Sequence, residues 1–310
     1  MHDRVISMNQ EQLQQTLEKV KQAVAENKLS ASASENMRAW LTEPRYAAYA
    51  NEVAAHIAAG KWQVLDDVFW TVIPFGTGGR RGKMYPIGSN AINDRTIGES
   101  AQGLADYVKE TLGAGAQLSC AIGHDTRHKS DHFAKLCTEI MTAAGFKVYL
   151  LKGYRATPEL SFTVREKKCS CGIMVTASHN PPSDNAVKVY WSTGGQILPP
   201  HDKRIIERVM NTQEIRRADF DKMLAAGKIV KCQEEIDKKF QAAVMTQASR
   251  TAEAQDHLLA TPWRWRNMRD PGAQGRWLCR CGTIRTTRET GRRLSECAGT
   301  RGQSGKPRGV

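Results

Sequence analysis

The run Cys171-Gly172-Ile173-Met174-Val175, followed at once by Thr176-Ala177-Ser178-His179-Asn180-Pro181-Pro182, constrains this chain more than any other stretch. Five apolar or small residues without alternation read as a strand buried on both faces, the kind that belongs to a parallel sheet. A strand that ends in a polar loop places that loop at the sheet's carboxyl edge, where α/β proteins bind ligands. Pro181-Pro182 fixes the backbone and bars a helix from starting there. A stiff loop is thus expected to hold the Ser178 hydroxyl in the open.

The segments upstream alternate in the way such a sheet requires. Val68 to Ile73 is a β-rich run leading into a glycine-rich turn from Gly76 to Gly82. Asn93-Asp94 starts a helix that ends near Gly113, and Leu118 to Gly123 is the next strand. Ser130 is placed to cap a helix whose inward face is Phe133, Leu136, Ile140 and Ala144. Phe146 to Leu151 reads as a strand, and Thr157-Pro158 opens another helix with proline in its first turn. Strand, helix, strand, helix and strand into Ser178 predict right-handed βαβ units and an α/β fold, a doubly wound three-layer α/β/α domain.

Around that domain the pattern changes. Leu13, Leu17, Val20 and Val24 recur at helical spacing, as do Tyr46, Val53 and Ile57, which predicts an N-terminal helical extension over residues 1–60. The α/β/α domain is assigned to 61–215, with Ala186 to Trp191 as a returning strand and His201 to Met210 as a helix. Residues 216–256 read as a connector and the start of a second domain, with an amphipathic helix from Glu234 to Met245, and 257–310 as a separate basic tail. Cys169 and Cys171, two apart on one strand, are expected to share a face as buried thiols rather than to bind metal.

Composition excludes several classes. No apolar run approaches the roughly 20 residues of a membrane span, and the N-terminus is polar without a signal-peptide core, so a cytoplasmic protein with reduced thiols is expected. The net charge of +13 would suggest a nucleic-acid partner if it covered one face. Thr261 to Val310, however, carries 12 Lys and Arg against 3 Asp and Glu, or +9 of that total. The tail shows neither strand nor helix period. At face value it is a basic nucleic-acid arm, or Cys279-x-Cys281 is half a metal site.

A second glycine-rich motif, Phe75-Gly76-Thr77-Gly78-Gly79-Arg80-Arg81-Gly82, lies upstream of the serine loop. Its glycines let backbone N–H groups approach an anion, and Arg80, Arg81 and Lys83 add charge. Together, T-A-S-H-N-P from Thr176 to Pro181, continued by Asp184, Asn185 and Lys188, and this upstream motif resemble the α-D-phosphohexomutases, the phosphoglucomutase and phosphomannomutase family. The family usually reads F-G-T-S-G-x-R-G, so Gly78 departs from a serine. His124-Asp125-Thr126-Arg127 resembles the family's G-x-D-x-R, and the resemblance covers roughly Trp40 to Ala254. It implies an isomerase working by intramolecular phosphotransfer, with glucose 1-phosphate and glucose 6-phosphate exchanging through a phosphoserine and a hexose 1,6-bisphosphate.

The resemblance also assigns roles. Ser178 carries the phosphoryl group, Arg81 and Lys188 stabilise it in transfer, and His179 orients the loop or meets phosphate. Thr77, Gly78, Gly79, Arg80, Asn180, Asp125 and Arg127 make up the substrate and phosphate set, although Asp125 and Arg127 are expected to stabilise the loop rather than react. Mg²⁺ would take one oxygen from phospho-Ser178 and the rest from an aspartate-rich loop, which the family writes D-G-D-x-D-R and for which this sequence has no equivalent. Read one base later with permitted codons, the stretch from Leu258 can encode segments resembling the family's second domain. The tail is therefore taken as a translated frameshift, non-native and disordered, beginning near Ala254 to His257. On that reading this exact chain is expected to be inactive as a mutase. Mannose or pentose phosphates are alternative substrates, and a non-catalytic module binding sugar phosphates or polyanions is the alternative from another class. No membrane partner is expected, nucleic acid is disfavoured, and no oligomeric state is implied.

Overall fold

The fold is described from a computed structural model over residues 8–76 and 78–247. Four helices come first: α1 (Gln10–Ala25), α2 (Ala31–Thr42), α3 (Ala50–Ala58) and α4 (Trp62–Phe69). Asn9 closes a capping box on α1, and Ser30 caps α2. Their apolar stripes bury Val20, Met37, Trp40, Val53, Leu65 and Phe69 in a core of their own, where Trp40 stacks on Tyr46 with centroids 4.7 Å apart. Helix α4 corrects the reading of Val68 to Ile73 as a β-rich run. Leu65, Val68 and Phe69, spaced three and four apart, pack as one stripe into that core, and the helix ends before the chain becomes extended at Val72.

The sheet has six strands in the order β1-β5-β4-β2-β3-β6: β1 (Gly79–Lys83), β2 (Ser119–His124), β3 (Lys147–Tyr154), β4 (Cys171–Val175), β5 (Asp184–Trp191) and β6 (Ile229–Lys231). Strands β4, β2, β3 and β6 run parallel, and β5 runs antiparallel between β1 and β4. Helices α5 (Asp94–Leu112) and α6 (Ser130–Ala143) cover one face, and α7 (Thr157–Glu166) and α10 (Gln233–Thr246) the other. Helix α8 (His201–Met210) packs outside α5, and α9 (Phe220–Ala225) lies beside α6. This is the three-layer, doubly wound arrangement that the alternation of segments predicts. The chain passes from β2 to β3 over α6, then returns across β2 to β4 over α7, so the winding reverses between β2 and β4.

Three local expectations change. The segment expected as a connector supplies α9 and the edge strand β6, whose three residues are too few to show a period. Ser130 does not cap α6. Lys129 takes the cap position with φ 60°, and the Ser130 hydroxyl donates to Asp125 Oδ1 at 2.8 Å. Cys169 and Cys171 do not share a face: β4 begins only at Cys171, after Lys168 has turned with φ 50°, so Cys169 joins the α7 side and Cys171 the α5/α6 side. Both are buried free thiols, as are Cys120, Cys137 and Cys232. Among the described residues no helix is long and apolar enough to cross a membrane. The tail assigned to 257–310 lies outside the described residues.

A buried ion triad fixes β1 against α5. Glu99 of α5 accepts from Arg80 of β1 at 2.6 Å and from Arg95 at 2.8 Å, with the Arg80 side chain 1% exposed. Arg95 also donates to the carbonyls of Arg45 in the N-terminal layer and of Thr212 beyond α8. Removing the central carboxylate leaves two guanidinium groups buried without a counter-ion. The variant Glu99→Ala should lose about 3–5 kcal/mol of unfolding free energy, read as a lower urea midpoint.

Helix α10 is held by a second cluster. Arg155, just after β3, makes a bidentate pair with Asp237 of α10 at 2.7 and 2.8 Å and lies 3.6 Å from Glu159 of α7. Burial, together with the neighbouring Asp237, pushes the Glu159 carboxyl up to about 8. A group whose pKa is raised on folding contributes stability that is complete below its unfolded value, near 4.5, and is lost as pH climbs through about 8. Urea midpoints of the chain should therefore fall between pH 5 and pH 8.5, and Glu159→Gln, which stays neutral, should flatten that dependence.

Candidate active site at the carboxyl edge of β4

Strand β4 is buried along its whole length and delivers the chain to the carboxyl edge beside the end of β2, where the winding reverses. In doubly wound sheets that crevice is the ligand position. Thr176 stays buried, and its Oγ1 accepts from the Ser178 N–H at 3.0 Å. Ser178 itself adopts φ 58°, a left-handed conformation that costs a non-glycine residue about 1–3 kcal/mol. The strain turns the Ser178 and His179 side chains into solvent, with Ser178 Oγ 3.4 Å from His179 Nδ1. Asn180 Nδ2 donates to Asp184 Oδ2 at 2.9 Å, and the Asp184 N–H to the Pro181 carbonyl at 3.0 Å, which closes the loop.

The turn after β2 packs beneath this loop. The Asp125 N–H donates to the Val175 carbonyl at 3.1 Å, and the Arg127 guanidinium reaches across to the loop's backbone. Arg127 and Asp125, grouped with the phosphate ligands by resemblance, are thus tied to protein groups. Their hydrogen bonds run to the loop backbone and to Ser130.

Cross-strand register decides which cations face the site. Arg81 of β1 pairs with Ala186 of β5, and Gly79 with Lys188, so Arg81 and Lys188 are diagonal neighbours on one face of the sheet. That face is the α7 side, shared by Met174 and Tyr190. The side chains of Arg81 and Lys188 form no ion pair or hydrogen bond with a described residue. Arg80, one residue earlier, points to the opposite face and is consumed by Glu99. Its assignment to the phosphate ligands is corrected, because a buried guanidinium with a carboxylate at 2.6 Å has no surface to offer an anion.

The glycine-rich turn is partly structural. Gly76 and Gly79 exchange N–H···O bonds of 2.9 and 3.0 Å, so the Gly79 N–H is spent on the turn and not free for phosphate. Gly79 has φ 131°, and a Cβ there would lie 1.8 Å from the Val187 carbonyl oxygen, so only glycine fits. The Gly78 N–H carries no hydrogen bond among the described residues. The Gln196 side chain stands 3.4 Å from where a Gly78 Cβ would be, occupying the flank on which the family usually has a serine. Sequence reasoning missed Gln196, since nothing local marks a residue that reaches the turn from beyond β5. Thr77 lies outside the described residues.

The donor set does not suit Mg²⁺. Among the described residues no three His, Cys, Asp or Glu side chains gather to hold a metal. The nearest carboxylates are engaged, Asp125 with Ser130 and Arg127, and Asp184 with Asn180 and Ser183. A phosphoryl group on Ser178 would be the only ligand of the expected set that these residues supply.

Residues 73–216 match the model of the phosphoglucomutase/phosphomannomutase alpha/beta/alpha domain I. The chain is 34% identical over 233 residues to the phosphoribomutase of Saccharomyces cerevisiae, an alignment covering 72% of this chain and 37% of that protein. It is 44% identical over 129 residues to the phosphoglucomutase of Staphylococcus haemolyticus, covering 42% of this chain and 23% of that protein. With the human phosphopentomutase the identity is 36% over 181 residues, 56% of this chain and 29% of the relative. The chain therefore spans well under half the length of these relatives. With the serine loop at the sheet's switch point and the matched span running from Ile73 through α8, residues 73–216 form an alpha/beta/alpha domain I of the phosphoglucomutase/phosphomannomutase kind.

Proposed function

We propose that this domain carries the phosphoryl-transfer serine of a sugar-phosphate mutase, with Ser178 as the residue that holds and donates the group. The observation that carries the proposal is a strained, exposed Ser178 at the carboxyl edge, on a sheet whose neighbouring strands present two cations, Arg81 and Lys188, without an ion-pair partner among the described residues. A serine hydroxyl is a weak nucleophile, so the useful state is a preloaded phosphoserine. A sugar hydroxyl oxygen attacks the phosphorus, the Ser178 Oγ–P bond breaks, and a sugar bisphosphate forms; return of its other phosphoryl to Ser178 leaves the isomer.

Catalysis of such a transfer depends on positioning and on neutralising charge spread over the phosphoryl oxygens. Arg81 and Lys188 serve the second need. The Gly78 N–H and Asn180 add donors at the edge, and His179 orients the Ser178 hydroxyl. A divalent cation, when bound, would neutralise phosphoryl charge further. Ser178's phosphoryl is its one ligand from these residues, and no step here runs through it.

The substrates are sugar phosphates. Glucose 1-phosphate and glucose 6-phosphate are the favoured pair by motif. Pentose phosphates are the second reading, since the relatives in yeast and human are named phosphoribomutase and phosphopentomutase. Incubation with glucose 1,6-bisphosphate and Mg²⁺, followed by peptide mass spectrometry, should find phosphate on Ser178 and none in Ser178→Ala. Removing one charge-stabilising donor, in Lys188→Ala or Arg81→Ala, should slow that uptake on the order of 10²-fold. Phosphate on another residue, or uptake unchanged in both variants, would sink the proposal. In a coupled glucose-phosphate mutase assay the 310-residue chain should show no turnover above background, because its sequence holds no aspartate-rich metal loop.

A further inference from the structure

Arg127 spends both of its Nη groups on one loop. Its Nη1 donates to the carbonyls of Pro181 at 2.8 Å and Asp184 at 3.2 Å, and its Nη2 to those of Ser178 and Asn180, both at 2.7 Å. The remaining N–H, on Nε, is buried 3.3 Å from Asp125 Oδ2 without a hydrogen bond. Of the guanidinium's five N–H donors, four serve the loop and the fifth is shut away from solvent, so none is left for an anion. The four carbonyls cover the loop from the strained serine to the first residue of β5.

The clamp is itself anchored on three elements. Asp125 Oδ1 accepts from the Arg127 N–H at 3.0 Å and from the Ser130 hydroxyl at 2.8 Å. Ser130 Oγ in turn accepts from Asn185 Nδ2 at 3.0 Å, and the same amide reaches the His128 carbonyl. Ser130 and Asn185 are wholly buried, so the chain Asn185, Ser130, Asp125, Arg127 joins β5, the start of α6 and the end of β2 to the loop after β4.

We infer that Arg127 is a positioning residue that holds Ser178 in its left-handed conformation by fixing its carbonyl and those of Asn180, Pro181 and Asp184 after it, and does not bind phosphate. With φ at 58°, the Ser178 carbonyl is held by Arg127 Nη2 at 2.7 Å, which fixes the peptide that follows the serine. Released from it, the peptide after Ser178 is free to relax and carry the hydroxyl away from Arg81 and Lys188. A lysine cannot substitute, since a point charge on a flexible stem cannot address four fixed acceptors as a planar fork does. The inference rests on the proposed phosphoserine role for its consequence in transfer, but not for the clamp.

The test compares Arg127→Ala and Arg127→Lys with the exposed neighbour Lys129→Ala in the full chain. Hydrogen–deuterium exchange is read on peptides covering residues 176–185, and phosphate uptake on Ser178 from glucose 1,6-bisphosphate. Loss of charge-assisted hydrogen bonds should speed loop exchange by about tenfold or more in both Arg127 variants, with β2 and β3 unchanged. Uptake should fall in parallel, added guanidinium should restore both readouts in Arg127→Ala alone, and glucose 6-phosphate should bind Arg127→Ala as it binds the parent. Loop exchange equal to the parent's, or lost sugar-phosphate binding with a quiet loop, would overturn the inference. So would global unfolding of both Arg127 variants. If the parent chain takes up no phosphate, the phosphoserine reading fails by itself and the clamp is judged on exchange and guanidinium rescue.

Discussion

The contact between Arg80 and Glu99 sets the orientation of everything at the site's cationic edge. Side chains alternate along a strand, so driving one residue of β1 into the α5 face drives the next to the α7 face. Arg80 is committed by a carboxylate 2.6 Å away in a buried interface, and Arg81 is thereby turned to the side where Lys188 stands. A slip of one residue would bury Arg81 and expose Arg80, and Gly79, which only glycine can fill against Val187, blocks that slip sterically. The charge pair is a device of register as much as of stability.

The serine loop follows the same division of labour. The groups that face solvent, Ser178 and His179, make almost no contacts, while the groups beneath them are saturated. Strain at one residue persists only where its surroundings over-determine it. Here a buried asparagine, a buried serine, an aspartate and an arginine do so through hydrogen bonds that leave the reactive atoms untouched.

Much of this was legible in the chain. The unbroken apolar run at Cys171–Val175 located the buried strand, and the alternation of segments gave the doubly wound sheet, because burial on two faces and burial on one leave different patterns. What failed was decided at a distance. Val68 to Ile73 has strand composition, yet its Val68 and Phe69 join the preceding Leu65 in a helical stripe for a core that only the folded N-terminal layer creates. Two adjacent arginines look equivalent in sequence and differ entirely once Glu99, on another element, claims one of them. Arg127 could be matched to a motif, but its task became visible only when four carbonyls from the loop after β4 were seen converging on it.

The reversed direction of β5 has a kinetic side. Because β4 and β5 are antiparallel neighbours, the serine loop is the bend of a hairpin, and its ends meet after only a short excursion. Closing so small a loop costs little chain entropy, and hairpins form in about 1–10 μs. Arg81 arrives instead on a strand from far earlier in the chain, a non-local pairing of the kind that slows folding. The nucleophile's own turn can therefore take shape early with Lys188 already on its second strand, and Arg81 joins last.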